Sequence, residues 1–466
     1  MLSFIVIIII QTDYALPYIL EGLELQLISI ASFPNILIDF SRNPIVLLFF
    51  SPMKPIKNRS LLIFILGLLS AIGPFSIDMY LPGFPTIAAS LHTTVDKVSY
   101  SLSSFFIGIC VGQLLCGPLL DRFGRKKPLL IGLVLYIIAS VACSLSRSVE
   151  SLVAFRFLQA VGGCVGMVAP NAIVRDVFPV HENAKVFSLL ILILGVSPIL
   201  APTVGSYVVA HLGWQVVFII LAIVATVISL MVVKWLPESK AADPSYSLKP
   251  ASILQGYRQV LRERQFTTFA LSGAIASAGL FAYLAGSPFV FMQLYGVSEQ
   301  QYGLIFAFIA AGLIGCSQLN NRVLRKFNSA QILRFVLLSQ SLVGFLLIVG
   351  IAAGLLGLYG IIALMLLFLS CQGFTFPNAA ALAMAPFSKG AGSASALMGA
   401  IQMIFGALAS ALVGVFFNGT AVPMAAIMAF CAISGFIILR AGHSRMELAA
   451  SEDEIEHQTM EMIEKF

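Results

Sequence analysis

A short and densely charged segment lies between two long uncharged stretches of this chain. Residues 121–127 carry five charges, four of them positive, whereas residues 98–116 and 128–146 carry none. Each uncharged stretch is close to the roughly 20 residues with which an α-helix crosses the ~30 Å apolar core of a bilayer. The pattern predicts two membrane-spanning helices joined by a very short loop, and the positive charge places that loop on the cytoplasmic side.

The composition is that of a chain embedded largely in lipid. Charged residues make up 10% of it and hydrophobic residues 59%, whereas soluble domains carry about 25% charged residues. A soluble domain with this balance would lack the polar groups to cover its surface. The seven cysteines are scattered singly, so we interpret them as packing residues. Nothing in the distribution of the +6 net charge suggests a nucleic-acid partner.

The sequence predicts an all-α integral membrane protein with twelve spans. Lys and Arg fall mainly on alternate loops, and the loops between those hold only Lys97 and Arg147. This asymmetry predicts that both termini are cytoplasmic. The predicted spans are residues 61–82, 97–117, 128–147, 151–173, 185–209, 214–236, 266–291, 302–321, 331–351, 355–380, 391–416 and 420–440.

The chain divides into two related halves. A polar stretch, residues 237–265, is much longer than the other loops and separates six spans from six. Residues 166–172 (GMVAPNA) recur as 373–379 (GFTFPNA), and the charged segment at 121–126 recurs at 321–326. Two matches at nearly the same offset indicate a duplication, as in many transporters. The predicted domains are two pseudo-symmetric six-helix bundles, residues 53–236 and 266–440, joined by a cytoplasmic linker.

The two ends of the chain lie outside the predicted six-helix bundles. Residues 1–10 are too short to span a bilayer and lack a basic leader, so they make a poor signal peptide. Residues 53–59 look like a natural start, and we expect residues 1–52 to be an N-terminal extension that derives from an upstream start. Residues 441–466 are predicted to form an acidic cytoplasmic tail.

Two ionisable residues stand well inside predicted spans. Asp78 is the only charge between Arg59 and Asp96, and Arg156 lies six residues into the fourth span. A charge at the centre of a span costs roughly 2.5–3.5 kcal/mol on insertion scales, so each residue is a hypothesis of function. An acid and a base facing one cavity could pair when it is empty and separate when a proton or substrate arrives. The alternatives are a hydrated Asp78 near its helix end and an Arg156 that reaches the membrane surface.

Helix-breaking residues and uncharged polar groups within the spans are weaker indications of function than Asp78 and Arg156. The fifth span contains Gly195, Pro198, Pro202 and Gly205, which predict a bend or hinge, the alternative being an ordinary kinked helix. Hydrogen bonds between helices explain the polar groups in other spans as well as substrate contact does. These groups are Gln113, Gln159, Asn171, Asn378 and Gln402.

Signatures of soluble catalysis are missing from the sequence. It holds no Gly-x-x-x-x-Gly-Lys-Ser/Thr loop for phosphates, and its five histidines have no metal-binding spacing. We therefore expect no enzyme activity, no cofactor and no metal. Any work that the protein does would draw on an ion gradient, since one charge crossing 100 mV supplies ~2.3 kcal/mol.

These motifs resemble those of a known transporter family. Residues 117–127 resemble the signature loop between spans two and three of the major facilitator superfamily. Arg156 with Gln159 resembles the fourth-span motif of its drug/proton antiporters, and residues 195–205 resemble their fifth-span motif. The segment 78–82, Asp-Met-Tyr-Leu-Pro, narrows the resemblance to Bcr/CflA-type multidrug efflux proteins.

The resemblance implies a role for each matching residue. Asp78 would be the proton-coupling acid, and Arg156 would be its electrostatic partner or modulator. The fifth-span motif would govern sealing, although Ala201 and Ser206 stand where the family favours Gly. The residues that would latch the cytoplasmic helix ends in the outward-facing state are Gly117, Asp121, Arg122, Gly124, Arg125 and Asp176.

The function that the resemblance implies is proton-coupled export of small amphiphilic drugs, by a monomer in the bacterial cytoplasmic membrane. One alternative keeps the fold and transports a metabolite such as a sugar or organic acid. The other is a membrane receptor or scaffold that transports nothing, against which the repeated halves and Asp78 argue. The residues that could line the substrate cavity, with packing as the alternative role of each, are Tyr80, Gln113, Gln159, Met167, Asn171, Tyr283, Phe374, Asn378, Gln402 and Met403.

Overall fold

The computed structural model of the protein describes residues 59–178, 180–243, 250–387 and 391–442. Every regular element within these ranges is a helix, and twelve helical segments are long and apolar enough to cross a membrane. The predicted all-α fold with twelve spans is confirmed. In chain order the spans are Arg59–Ser90, Val95–Phe123, Lys126–Ser144, Val149–Val177, Ile193–Leu212, Trp214–Trp235, Arg264–Leu294, Glu299–Val323, Ser329–Ala352, Leu358–Met384, Ser393–Val415 and Val422–Gly442.

Some helices differ from their predicted bounds. The first span was predicted to end at residue 82, but helical structure resumes at Phe84–Ser90 because the apolar run continues. The polar linker contains a helix, Pro250–Arg262, which the apolar pattern of the sequence did not predict because the helix is short and amphipathic. The expectations for residues 1–52 and for the acidic tail from residue 443 onward lie outside the described residues.

The spans pack mainly within two groups. In spans one to six, which we call the first half, the second and third pack on the fourth, and the first packs on the fourth and fifth. In spans seven to twelve, the second half, the eighth and ninth pack on the tenth, and the seventh packs on the tenth and eleventh. Contacts of the second span with the eleventh and of the fifth with the eighth join the halves. The domain bounds given above stay a prediction.

The short loops lie at two ends of the molecule because successive spans alternate in direction. We call the end with the loops at 124–125 and 324–328 the basic end, since Arg and Lys cluster there. The other end holds the turn at 91–94, and we call it the opposite end.

The two halves are in contact near the opposite end. The Thr86 hydroxyl of the first span donates to the Glu299 carboxylate of the eighth at 2.8 Å. The Ser103 hydroxyl of the second span donates to the Ser410 hydroxyl of the eleventh, also at 2.8 Å. These hydrogen bonds cross between the halves and join them near the opposite end.

The fifth span belongs to one continuous helix, Val180–Leu212, which runs through Pro198 and Pro202. Each proline removes a backbone donor from the helix. Gly195, one turn earlier, faces the eighth span, where an added Cβ would lie 3.6 Å from Ile314. The expected bend or hinge stays a prediction.

Two glycines let the fifth span pack closely on both halves. A Cβ at Gly205 would overlap the carbonyl oxygen of Met79 in the first span. Ser206 faces Gly303 of the eighth span, where an added Cβ would lie 3.0 Å from the Ser206 hydroxyl oxygen. Ser206 departs from the family pattern, and Gly303 provides the space that it needs.

Gly205→Ala tests this packing. The methyl group would force the first and fifth spans apart, so we expect a loss of stability of about 1–3 kcal/mol, typical of overpacking. Gly315→Ala in the eighth span is the matched control, because nothing lies within 4 Å of a Cβ there. The apparent melting temperature of the purified protein measures both, and equal values for the two variants would contradict the packing described.

Candidate functional site

Asp78 lies where the first span breaks. The regular helix Arg59–Asp78 ends at this residue, and a short 3₁₀ turn, Leu81–Gly83, follows. The break has a local cause, because Pro82 lacks the N–H that would bond to the carbonyl of Asp78, four residues earlier. The Asp78 side chain is only 5% exposed. It is therefore buried among the spans and does not lie at a hydrated helix end.

Within the described part of the chain, Asp78 has no cationic partner. Its carboxyl group forms no ion pair and accepts no hydrogen bond there. The seventh and eighth spans both pack on the turn Leu81–Gly83 that follows Asp78. The acid of the first half therefore lies near the boundary with the second half.

Arg156 is fully buried and bonds to groups other than Asp78. One guanidinium nitrogen donates to Gln159 Oε1 at 2.6 Å, and another donates to the backbone carbonyl of Ser76 at 2.9 Å. The guanidinium also lies over two aromatic rings, 4.3 Å from the centre of Tyr80 and 4.0 Å from that of Phe105. Aromatic faces attract a cation, so these contacts take the place of a carboxylate. Arg156 and Asp78 are not paired here, and Arg156 does not reach the membrane surface.

A chain of polar groups extends from Arg156 into the third span. The Gln159 amide donates to the Ser140 hydroxyl at 2.7 Å, and the Ser76 and Tyr136 hydroxyls share a hydrogen bond of 2.6 Å. Spans one, three and four are joined by this network. Sequence reasoning found Arg156 and Gln159 but missed the other three. The available signal was the spacing of Tyr136 and Ser140, four residues apart on one helix face within the uncharged stretch 128–146.

Three of the six predicted latch residues, Asp121, Arg125 and Asp176, come together at the basic end. The Arg125 guanidinium donates to Asp176 at 2.7 Å and to Asp121 at 3.1 Å. Burial lowers the pKa of Arg125, but the hydrogen bond and charge of Asp176, together with Asp121, outweigh this and raise the pKa above its ordinary value. Arg122 lies with its guanidinium over the Phe123 ring. An added Cβ at Gly117 would meet no other atom within 4 Å.

Three consecutive linker residues bind to this latch, and the sequence did not predict them. Lys240 pairs with Asp121 at 2.8 Å, and the Ser239 hydroxyl donates to Asp176 at 3.2 Å. Glu238 accepts a hydrogen bond of 2.6 Å from the backbone N–H of Arg125, where its charge suits the start of the third span. These three linker residues belong to no sequence motif that we identified. Their contacts with the latch become evident only from the fold.

Gly124 has the backbone conformation that this arrangement requires. Its φ of +80° is favourable for glycine alone among common residues, and an added Cβ would lie 2.9 Å from the Lys240 carbonyl oxygen. The linker therefore passes directly over the loop between the second and third spans.

The ten candidate cavity residues differ widely in burial. Asn378 donates a hydrogen bond of 2.8 Å to Asn320, which is buried. Asn321, the predicted counterpart of Asp121, is not the buried residue of this pair. Gln402 lines a small cavity with Ser277. Asn171 is exposed. The buried candidates are Tyr80, Gln159, Tyr283 and Asn378, and the half-buried ones are Gln113, Met167, Phe374, Gln402 and Met403.

Arg156→Lys should destabilise the protein although it keeps the charge. An ammonium cannot donate to Gln159 and Ser76 in the fork geometry of a guanidinium or stack on Tyr80 in the same way. We expect a loss of about 1.5–3 kcal/mol, as for a hydrogen bond to a charged group. Thermal unfolding measures it against Arg147→Lys, an exposed control. Equal stability would show that the network does not depend on the guanidinium.

The ion pairs of the latch should differ in strength. Asp176→Asn leaves the nearly buried Arg125 without its closest acid, so we expect a loss of about 1.5–3 kcal/mol. Lys240→Gln removes a partner whose side chain is 40% exposed, and solvent screening limits that loss to about 1 kcal/mol. Melting temperatures of the purified variants decide the order, and a larger effect at Lys240 would contradict it.

Comparison with known proteins places these features in a family. The family model described as Major Facilitator Superfamily matches residues 63–414. The chain is 35% identical over 382 residues to an uncharacterized MFS-type transporter, YdgK, of Bacillus subtilis, covering 81% of this chain and 94% of the relative. It is 31% identical over 392 residues to the multidrug resistance protein MdtL of Escherichia coli, covering 82% and 96%.

Further relatives include a bicyclomycin resistance protein homolog of Haemophilus influenzae. It is 29% identical over 381 residues, with 82% of this chain and 96% of the relative covered. Among solved structures, a D-xylose–proton symporter superposes with a TM-score of 0.64 at 15% identity, covering 81% of this chain and 97% of that one. A likeness at such low identity shows the fold alone.

Proposed function

We propose that this chain, which belongs to the Major Facilitator Superfamily, exports small amphiphilic drugs in exchange for protons. Relatives that carry the names multidrug resistance protein and bicyclomycin resistance protein support drugs as the cargo. The observation that carries the proton part of the proposal is Asp78, a buried acid without a cationic partner at a break in the first span.

Asp78 is suited to carry the proton. A carboxylate in apolar surroundings without a partner is unfavourable, and binding a proton relieves the unpaired charge. A bound drug can also offset that charge, especially if it is cationic. Proton and drug would then compete for one acid, which is the requirement for exchanging one against the other.

Arg156 then has a positioning role. Its bond to the Ser76 carbonyl lies two residues before Asp78, within the last turn of the regular helix. The guanidinium satisfies a backbone group that the helix break leaves free. Arg156 would therefore fix where the break lies and which way Asp78 faces, and it would modulate Asp78 without pairing with it.

The basic end defines the orientation. Under the positive-inside rule this end faces the cytoplasm, both termini are cytoplasmic, and the protein is a multi-pass component of the bacterial cytoplasmic membrane. In this structure hydrogen bonds join the two halves near the opposite end, and the ion pairs of the latch at the basic end are formed as well. Drug would enter from the cytoplasm or inner leaflet, and rocking of the two halves would expose it outside before the proton returns inward. The charged latch of Asp121, Arg125 and Asp176 would govern the cytoplasmic ends during this movement.

The residues proposed for the drug cavity include flexible and aromatic side chains. Met167 and Phe374 are half-buried and lie on the fourth and tenth spans, which correspond to each other in the two halves. Thioether and aromatic groups adapt to apolar ligands of differing shape. Such a cavity fits drug-like compounds better than sugars, which require many hydrogen bonds. We expect the transporter to act as a monomer without a cofactor.

Asp78→Asn tests the proposed exchange. In bacterial cells that lack their own drug pumps, we expect the wild-type chain to raise resistance to several amphiphilic compounds and to expel ethidium. The neutral amide cannot take up a proton, so Asp78→Asn should abolish active efflux, and a protonophore should do the same to the wild type.

Asp96→Asn serves as the control, because this acid lies at the start of the second span, near the opposite end. We expect it to retain efflux. Undiminished ethidium efflux by Asp78→Asn at equal expression, or efflux that ignores a protonophore, would contradict proton exchange at this residue. Transport of sugars or organic acids without drug resistance would favour the metabolite alternative.

A further inference from the structure

The hydroxyl group of Tyr283 lacks a partner in the interior of the protein. Tyr283 lies on the seventh span and is 1% exposed, and its hydroxyl oxygen makes no hydrogen bond with the residues that the structure describes. Ser287, one helical turn later, shares a hydrogen bond of 3.0 Å with Tyr302. A buried phenol without a partner is unfavourable unless another state of the protein provides one.

Asp78 is the complementary group across the boundary between the halves. It is also buried, and its carboxyl group has no hydrogen-bond donor among the described residues. The seventh and eighth spans, which carry Tyr283 and Tyr302, both pack on the turn Leu81–Gly83 that follows Asp78. The Tyr302 hydroxyl shares a hydrogen bond with Ser287, whereas the Tyr283 hydroxyl has no partner among the described residues and can donate to the carboxylate of Asp78.

The other polar groups near Asp78 are bound elsewhere, except for Arg156 Nε, which makes no hydrogen bond with the described residues and belongs to a guanidinium stacked on the rings of Tyr80 and Phe105. On the fourth span, the two terminal guanidinium nitrogens of Arg156 donate to Gln159 and to the Ser76 carbonyl. The Tyr80 hydroxyl shares a hydrogen bond of 3.2 Å with Ser101 of the second span. Toward the opposite end, Glu299 of the eighth span accepts from Thr86. The fifth span presents Gly205, which has no side chain to offer.

We propose that Tyr283 is a positioning residue that donates a hydrogen bond to the deprotonated carboxylate of Asp78 and so ties the two halves together near the opposite end. The inference rests on the proposed role of Asp78 in proton exchange. A hydrogen bond to a charged acceptor is stronger than one to its neutral form, so protonation of Asp78 weakens the tie. While the transporter is empty and Asp78 is deprotonated, this hydrogen bond keeps the opposite end closed. The transporter therefore does not change to the outward-facing state until drug has bound.

The test is an infrared titration of the Asp78 carboxyl group in the purified full-length chain in lipid nanodiscs. The C=O stretch of the protonated acid is assigned by its absence from Asp78→Asn. Tyr283→Phe removes one oxygen atom and keeps the ring, so the fold is retained. Because a donor stabilises the charged form, we expect Tyr283→Phe to move the midpoint of proton uptake upward by about one pH unit, a tenfold change in proton affinity.

Tyr302→Phe is the matched control. It removes the other nearby phenol oxygen, which shares a hydrogen bond with Ser287, and the proposal expects it to move the midpoint by less than about a third of a pH unit. An unshifted midpoint in Tyr283→Phe, or an equal shift in Tyr302→Phe, would overturn the proposal.

Failure of this inference can be told apart from failure of the proposed function. If Asp78→Asn abolishes ethidium efflux but Tyr283→Phe titrates like the wild type, only the role of Tyr283 is wrong. If Asp78→Asn still expels ethidium, the proposed exchange is wrong, whatever the titration of Tyr283→Phe shows. Tyr283→Phe should also take up protons without drug when a pH gradient is imposed on proteoliposomes, because the empty transporter is no longer held closed.

Discussion

The hydrogen bond from Arg156 to the Ser76 carbonyl is the interaction on which the site depends. Pro82 breaks the first span and leaves backbone carbonyls of its last turn without helical partners. A buried guanidinium bonds to one of them at 2.9 Å and is itself supported by Gln159 and by the ring of Tyr80. The broken helix end is thereby stable in the interior, and Asp78 can remain there as an acid without a counter-ion.

The two buried arginines of the first half show how surroundings decide the role of a charge. Arg125 at the basic end lies between Asp121 and Asp176, so its charge is neutralised within the latch. Arg156 meets a carbonyl, an amide and aromatic faces, so it does not neutralise Asp78. Arg125 thus stabilises a cluster of charged side chains at the basic end. Arg156 instead binds uncharged groups and so helps to position Asp78 without neutralising it. This division leaves Asp78 free to respond to protons and drug.

Much of this arrangement could be predicted from the sequence, because span length, loop charge and proline have local consequences. The twelve spans followed from such patterns, whereas the grouping of Arg125 with its acids followed from the resemblance to a transporter family. Asp78 and Arg156 do not pair, because the Ser76 carbonyl and two aromatic rings hold the guanidinium. The charges in the sequence do not reveal these competing partners. The contact of Lys240 with the latch depends on how the linker folds back, and no local pattern encodes that path.

Purified protein in proteoliposomes offers the most direct test of the account, because no other transporter is present. An imposed pH gradient, with the membrane potential clamped at zero, should drive ethidium toward the acidic side against its concentration gradient, and reversal of the gradient should reverse the flow. Asp78→Asn should abolish this movement while the folded protein is retained. Ethidium accumulation by Asp78→Asn at the wild-type rate, or wild-type movement that ignores the pH gradient, would contradict Asp78 as the site of proton exchange.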